Sequence, residues 1–286
     1  MWIFRIKILL GFYRLLSTLL LIASIGLVLS GCQKNNASPK DAWQAIQERG
    51  YLRVGATYNF PPQGFLDEKS NPQGFEIDLI HVLAKEMLKK EDSVKLTEAT
   101  NANWQGLLGF GQVDFLLSSM SNNANWSDRY DYSTPYFESS FRILVREKSG
   151  INHLSDLKGR RVTFLFGGTS EDILKKHAPA GTILVGFRTL NDETEAFKNG
   201  RVDAFAQQEY VLKNVLKQGC DLQLLPEKLS TQPFSVMFQR SQKNIVLREK
   251  VQTALSALKT SGELARIQKK WYINPPMVKC SGGKIF

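Results

Sequence analysis

The sequence predicts an α/β protein built as two lobes, and three observations carry this. Short apolar strands alternate with amphipathic helices along most of the chain. The alternation restarts midway, at Arg161. Two extended stretches, 139–146 and 234–239, interrupt it. If both are linkers, the chain leaves the first lobe, builds the second and returns. The first lobe is then discontinuous, 51–141 plus 235–273, with 142–234 as the second lobe and 274–286 as a tail.

Taken in order, residues 33–40 are polar and read as a tether. A helix over 41–49 has Asp41 as its cap and Gly50 as its stop. Leu52, Val54 and their neighbours form a strand. Ile77, Ile80, Leu83, Ala84, Met87 and Leu88 recur at helical spacing. Apolar strands at 94–96 and 113–117 flank a short helix near Trp104. Beyond the first extended stretch come a strand at 161–166, a helix at 172–176, a strand at 183–187, a helix at 193–198 and a strand at 202–206. Helices over 245–258 and 263–271 close the chain. Such frequent alternation predicts parallel sheets covered by helices on both faces. No solenoid repeat is present.

Composition fits a packed core: 43% of the 286 residues are hydrophobic and 22% charged. The first residues carry Arg5, Lys7 and Arg14 and no acid, followed by an apolar run over 15–29 and then Ser30-Gly31-Cys32. A basic start, a short apolar core and a small-residue cut site make a secretory signal peptide, residues 1–31. The run is short for a membrane span, although an uncleaved anchor helix is the alternative. The cut site resembles the lipobox of bacterial lipoproteins, which implies cleavage before Cys32 and lipidation there. Residues 32–50 then serve as anchor and tether on the periplasmic side of a membrane. The formal charge of +10 falls to +7 once the three leader cations leave, and it is scattered. Nothing in it points to nucleic acid; attraction to anionic lipid is the larger prospect. With Cys32 lipidated, Cys220 and Cys280 are either a disulfide or two free thiols.

Several landmarks recur in a fixed order. They include Phe60-Pro61-Pro62, Gly74-Phe75-Glu76-Ile77-Asp78-Leu79, Gly111-Gln112-Val113-Asp114 with Ser118-Ser119-Met120-Ser121, and Tyr132-Ser133-Thr134-Pro135-Tyr136. Leu154-Ser155-Asp156-Leu157-Lys158-Gly159, Asn199-Gly200-Arg201-Val202-Asp203-Ala204 and Ser261-Gly262-Glu263-Leu264-Ala265 follow. Together they resemble the family 3 extracellular solute-binding proteins, the receptors of polar amino-acid importers, over about 52–271. The resemblance implies a bilobed periplasmic-binding-protein fold whose lobes close on a small molecule by a hinge. It implies an ABC permease as partner, a monomer, no cofactor and no metal.

It also implies a site. Phe60 stacks on the ligand and Trp104 lines the cleft or fills core. Ser119 and Ser121 meet a carboxylate, and Thr169 and Ser170 open a helix behind Gly168, as an anion site or as an ordinary cap. Two positions depart from the family pattern. Its carboxylate-binding arginine falls where this chain has Trp126, and its ammonium-binding aspartate where it has Gln208. A neutral, aromatic-lined site follows, unless Arg129, with Glu171 or Glu209, restores the charges. An enzyme of cyclohexadienyl dehydratase type and a sensor or cell-wall accessory are the competing classes. Trp126 removes the clamp the enzyme would need. No Ser-His-Asp, zinc or P-loop spacing is present, and His81, His153 and His177 read as solvated.

Overall fold

A computed structural model of the chain describes residues 41–90, 92–121, 126–216 and 221–272. The signal peptide, Cys32, the tether, Cys220, Cys280 and the tail lie outside the described residues. Among the described residues, no helix is long and apolar enough to cross a membrane.

The elements form for local reasons. Helix α1 (Ala42–Arg49) starts where the Asp41 carboxylate accepts the Gln44 N–H at 2.9 Å and stops at left-handed Gly50. Strand β1 (Leu52–Ala56) buries both faces, and Gly55 lets Leu116 pack against its backbone where a Cβ would collide at 2.3 Å. Three short strands, β2 (Asn59–Phe60), β3 (Gly64–Leu66) and β4 (Pro72–Gln73), form a small antiparallel sheet that the sequence had not announced. Helix α2 (Phe75–Leu88) buries Ile77, Ile80, Leu83 and Ala84 of the predicted apolar stripe, with Met87 and Leu88 half-buried at its end. Then come β5 (Val94–Glu98), α3 (Trp104–Gly109), β6 (Phe115–Leu116) and β7 (Tyr130–Tyr132).

The second half holds β8 (Phe137–Arg146), β9 (Arg161–Leu165), α4 (Ser170–His177), β10 (Ile183–Phe187), α5 (Leu190–Lys198), β11 (Ala204–Gln208) and α6 (Glu209–Leu216). After β12 (Leu222–Leu224) and β13 (Ser230–Phe234), the chain returns through β14 (Met237–Gln239) to α7 (Ile245–Thr260) and α8 (Glu263–Tyr272).

Two large sheets result. The first runs β5-β1-β6-β14-β7, the second β10-β9-β11-β8-β12 with β13 also on β8. Both are mixed, which corrects the all-parallel expectation. Strands β1, β5 and β6 are parallel, as are β9, β10 and β11. The strands that enter or leave a lobe run the other way: β14 is antiparallel to β6 and β7, and β8 to β11, β12 and β13. A chain that crosses between sheets and comes back imposes this reversal.

The extended stretch 139–146 forms the body of β8, which lies in the second sheet between β11 and β12. The second sheet therefore begins at Phe137, ahead of the expected boundary at 142. A buried central strand and an apolar linker read alike in sequence. The crossings lie at 133–136 and 235–236, and they bond to each other: Ser133 N–H to Val236 O at 3.0 Å, Tyr136 N–H to Phe234 O at 2.9 Å, and Val236 N–H to Ser133 Oγ at 3.0 Å. Away from the crossings the lobes also touch, where Asn101 Nδ2 donates to Phe166 O at 2.9 Å.

Candidate functional site

A cavity of about 380 Å³ lies between the two sheets, and all eight residues singled out from sequence line it. Its first-lobe wall begins at the loop after β6. Ser119 there has φ +51°, a costly angle for a residue with a Cβ. Glu76, at the start of α2, holds it: one carboxylate oxygen accepts the Ser119 N–H at 2.7 Å, the Ser119 hydroxyl at 3.0 Å and the Tyr136 hydroxyl. Glu76 is fully buried. Burial pushes its pKa up to about 7 against the opposing pull of the Tyr136 and Ser119 hydrogen bonds. Burial, together with the Glu76 charge, raises the Tyr136 hydroxyl in turn.

Aromatic rings complete this wall. Trp104 is buried at the head of α3, and half-buried Trp126 leans on it at 5.0 Å between centroids, tilted 52°. Trp126 thus belongs to the core and the cavity at once. Phe60 lines the opening from β2.

The second-lobe wall carries a linked set of polar side chains. Gln232, on β13, joins three cavity residues. Its Oε1 accepts from Ser121 Oγ at 3.3 Å and from Gln208 Nε2, and its Nε2 donates to Thr169 Oγ1 at 2.9 Å. Gln208 ends β11 and is 9% exposed; its Oε1 has no hydrogen-bond partner among the described residues. Its N–H donates to Gln207 Oε1 at 2.9 Å, and Gln207 Nε2 donates to Glu193 Oε2 at 3.2 Å. Glu193 is fully buried on α5, where burial raises it to about 8 despite hydrogen bonds from Thr163 and Gln207.

Two predicted contacts are spent inside the protein. The Ser119 hydroxyl belongs to Glu76. The Ser170 hydroxyl accepts from Leu165 N–H and donates to Leu165 O, both at 3.0 Å, closing the turn into α4. Ser121, Thr169 and Gln208 keep polar atoms at the cavity. None of the three candidate replacement charges lines it. Arg129 is exposed beside Asp128 at 3.7 Å, Glu171 pairs with Lys175 at 2.7 Å, and Glu209 pairs with Lys213 at 2.9 Å. Sequence reasoning missed Gln232 and Arg188, both of which line the cavity. Gln232 had only its place on the returning strand to mark it; Arg188 follows a predicted strand, as many solvated cations do.

The comparisons agree with this geometry. Residues 52–274 match the profile of the bacterial extracellular solute-binding proteins, family 3. The chain belongs to that family. Among its family 3 relatives, the ABC transporter glutamine-binding protein of Bacillus subtilis (strain 168) is 25% identical, over 91% of this chain and 95% of its own length. The L-cystine-binding protein of Escherichia coli (strain K12) is 26% identical, over 86% and 91%. Among solved structures, an ancestral arginine-binding protein bound to arginine superposes with a TM-score of 0.71 at 32% identity, covering 78% of this chain and 99% of the other. The fold is the bilobed one of these family 3 proteins, and the chain is a solute-binding protein.

Proposed function

We propose that this protein captures one small solute in the cavity between its lobes and hands it to an ABC importer on the extracytoplasmic side of a membrane. It acts as a monomer, held by lipid on Cys32, and is a receptor and not an enzyme. The lobes are those of the two sheets, hinged at 133–136 and 235–236, where the paired crossings are the shortest route between them. Relatives carry glutamine, cystine and arginine in their names, and an importer-bound solute of similar size fits about 380 Å³.

One observation carries the reading. Phe60, Trp104, Ser121, Trp126, Thr169 and Gln208 converge on one cavity, and no carboxylate lines it among the described residues. Acid chemistry of the dehydratase kind has no group to use there. The same absence speaks against an ordinary zwitterion. An ammonium buried without its partner loses about 3–5 kcal/mol, or at least about a hundredfold in affinity. The ligand class is therefore less charged or differently charged than a standard amino acid. It stacks on Phe60 and Trp126 and bonds to Ser121, Thr169 and Gln208.

Calorimetry on the full chain tests this. The expected result is weak or absent binding of the twenty standard amino acids, with binding created by Trp126→Arg together with Gln208→Asp. Micromolar binding of a standard amino acid that survives Trp126→Ala and vanishes in Arg129→Ala would discard it.

A further inference from the structure

The second-lobe end of the cavity is laid out for a negative charge. Strands β9 and β10 are parallel, with Leu165 opposite Phe187, and Phe166 N–H donates to Phe187 O at 3.0 Å. The chain leaves both strands at the same level. One exit runs through Gly167, Gly168 and Thr169 into α4; the other runs through Arg188 and Thr189 into α5. All five of these residues line the cavity. Two helix N-termini therefore open toward the cavity, with Arg188 just ahead of the second; Glu171 and Asp172 lie in the first turn of α4, and α5 is capped by the Thr189 hydroxyl, which accepts the Asp192 N–H at 3.1 Å.

Arg188 is the sole formal charge lining the cavity among the described residues. Several other arginines pair with acids: Arg49 and Arg53 share Asp114, and Arg161 holds Asp203. No acid stands within ion-pair distance of Arg188 among the described residues. A further feature of the same wall is Gln208, whose buried Oε1 lacks a donor among the described residues.

We propose that Arg188 anchors a carboxylate, so that the solute selected is a small organic anion without an ammonium group, typified by a 2-hydroxy acid. This rests on the cleft-capture reading given above. The carboxylate pairs with Arg188 beside the N-terminus of α4, a hydroxyl donates to Gln208 Oε1, and the side chain lies on Trp126 and Phe60. A zwitterion could satisfy Arg188, but its ammonium would meet only a neutral amide. A cation would meet Arg188 as a like charge.

The test is calorimetry on the full chain with matched series that share a side chain: a 2-hydroxy acid, its amino acid and its primary amide, with methyl, isobutyl and benzyl groups. In the best-bound series the hydroxy acid should bind at least about tenfold tighter than the other two. Arg188→Gln should weaken the hydroxy acid by about tenfold or more and the amide by a markedly smaller factor. Arg188→Lys should retain part of the affinity, since it keeps the charge and loses the fork. The side chain is exposed, so neither variant threatens the fold. An amino acid that binds tightest, or a hydroxy acid indifferent to Arg188→Gln, overturns the anchor and leaves cleft capture standing. No heat from any series or from any standard amino acid overturns both.

Discussion

The first-lobe wall of the cavity sets Phe60, Trp104 and Trp126 among its hydroxyls and amides, whereas the second-lobe wall carries Arg188, the one formal charge lining the cavity among the described residues, beside Gln208 and Gln232. Each has a buried glutamate at its back. Glu76 gathers three donors on one oxygen and fixes the Ser119 loop directly. Glu193 acts at one remove, through Gln207 to the backbone of Gln208. One lock thus acts on the loop directly and the other through an intermediate amide.

Removing the first lock should have the largest effect. Glu76→Ala leaves the Ser119 N–H, the Ser119 hydroxyl and the Tyr136 hydroxyl without their acceptor in a buried site. A loss of about 3–5 kcal/mol is expected, seen as a fall of about 10 °C in melting temperature and as abolished solute binding. A variant that melts like the wild type would show that the wall does not depend on Glu76.

The second glutamate separates from the first by pH. Burial holds both acids above their ordinary value of 4.5, Glu76 at about 7 and Glu193 at about 8. A raised carboxyl keeps its proton in the fold where the unfolded chain has lost it. Their contribution to stability is therefore complete below pH 4.5 and declines as pH climbs through 7 and 8. Glu193→Gln keeps the shape and removes the titration. It should gain about 1–3 kcal/mol at pH 9 and little at pH 5, measured as urea midpoints across that range. Equal midpoint shifts at both ends would rule out a proton on Glu193.

Trp126→Ala tests whether the aromatic wall is packing or recognition. Half-buried against Trp104, the ring should cost about 1–2 kcal/mol of stability, and solute affinity should fall as well. Loss of stability alone would leave Trp126 as core. The smallest effect belongs to Ser170→Ala. Its hydroxyl is spent on Leu165, so about 1 kcal/mol of stability should go while affinity stays; a drop in affinity would return Ser170 to the site.

Much of this was legible in the sequence. Periodicity located α2 and α7, and apolar runs located β1, β5, β6, β9, β10 and β11, because a face that must be buried repeats at the spacing of its element. The ordered landmarks placed Phe60, Trp104, Ser121, Thr169 and Gln208 at one cavity before any coordinates. What was less legible has physical reasons. The stretch 139–146 is apolar whether it links or lies within a sheet. Ser119 and Ser170 line the cavity, but their hydroxyls are bonded within the protein, Ser119 to the Glu76 carboxylate and Ser170 to the Leu165 backbone. Gln232 and Arg188 owe their positions to parallel register and to a strand that comes home from the far lobe. Pairings of that range leave no local trace.

Gln232 rides on β13, one residue before Pro233 and close to the return crossing, and it touches Ser121 of the first lobe while holding Thr169 and Gln208 of the second. One amide thus ties both walls of the cavity together beside the crossing. For anyone converting this receptor into a biosensor, a library at position 232 would change response time and ligand preference in the same stroke. Changes at Arg188, which stands away from the joint, would retune preference while leaving the speed of the device alone.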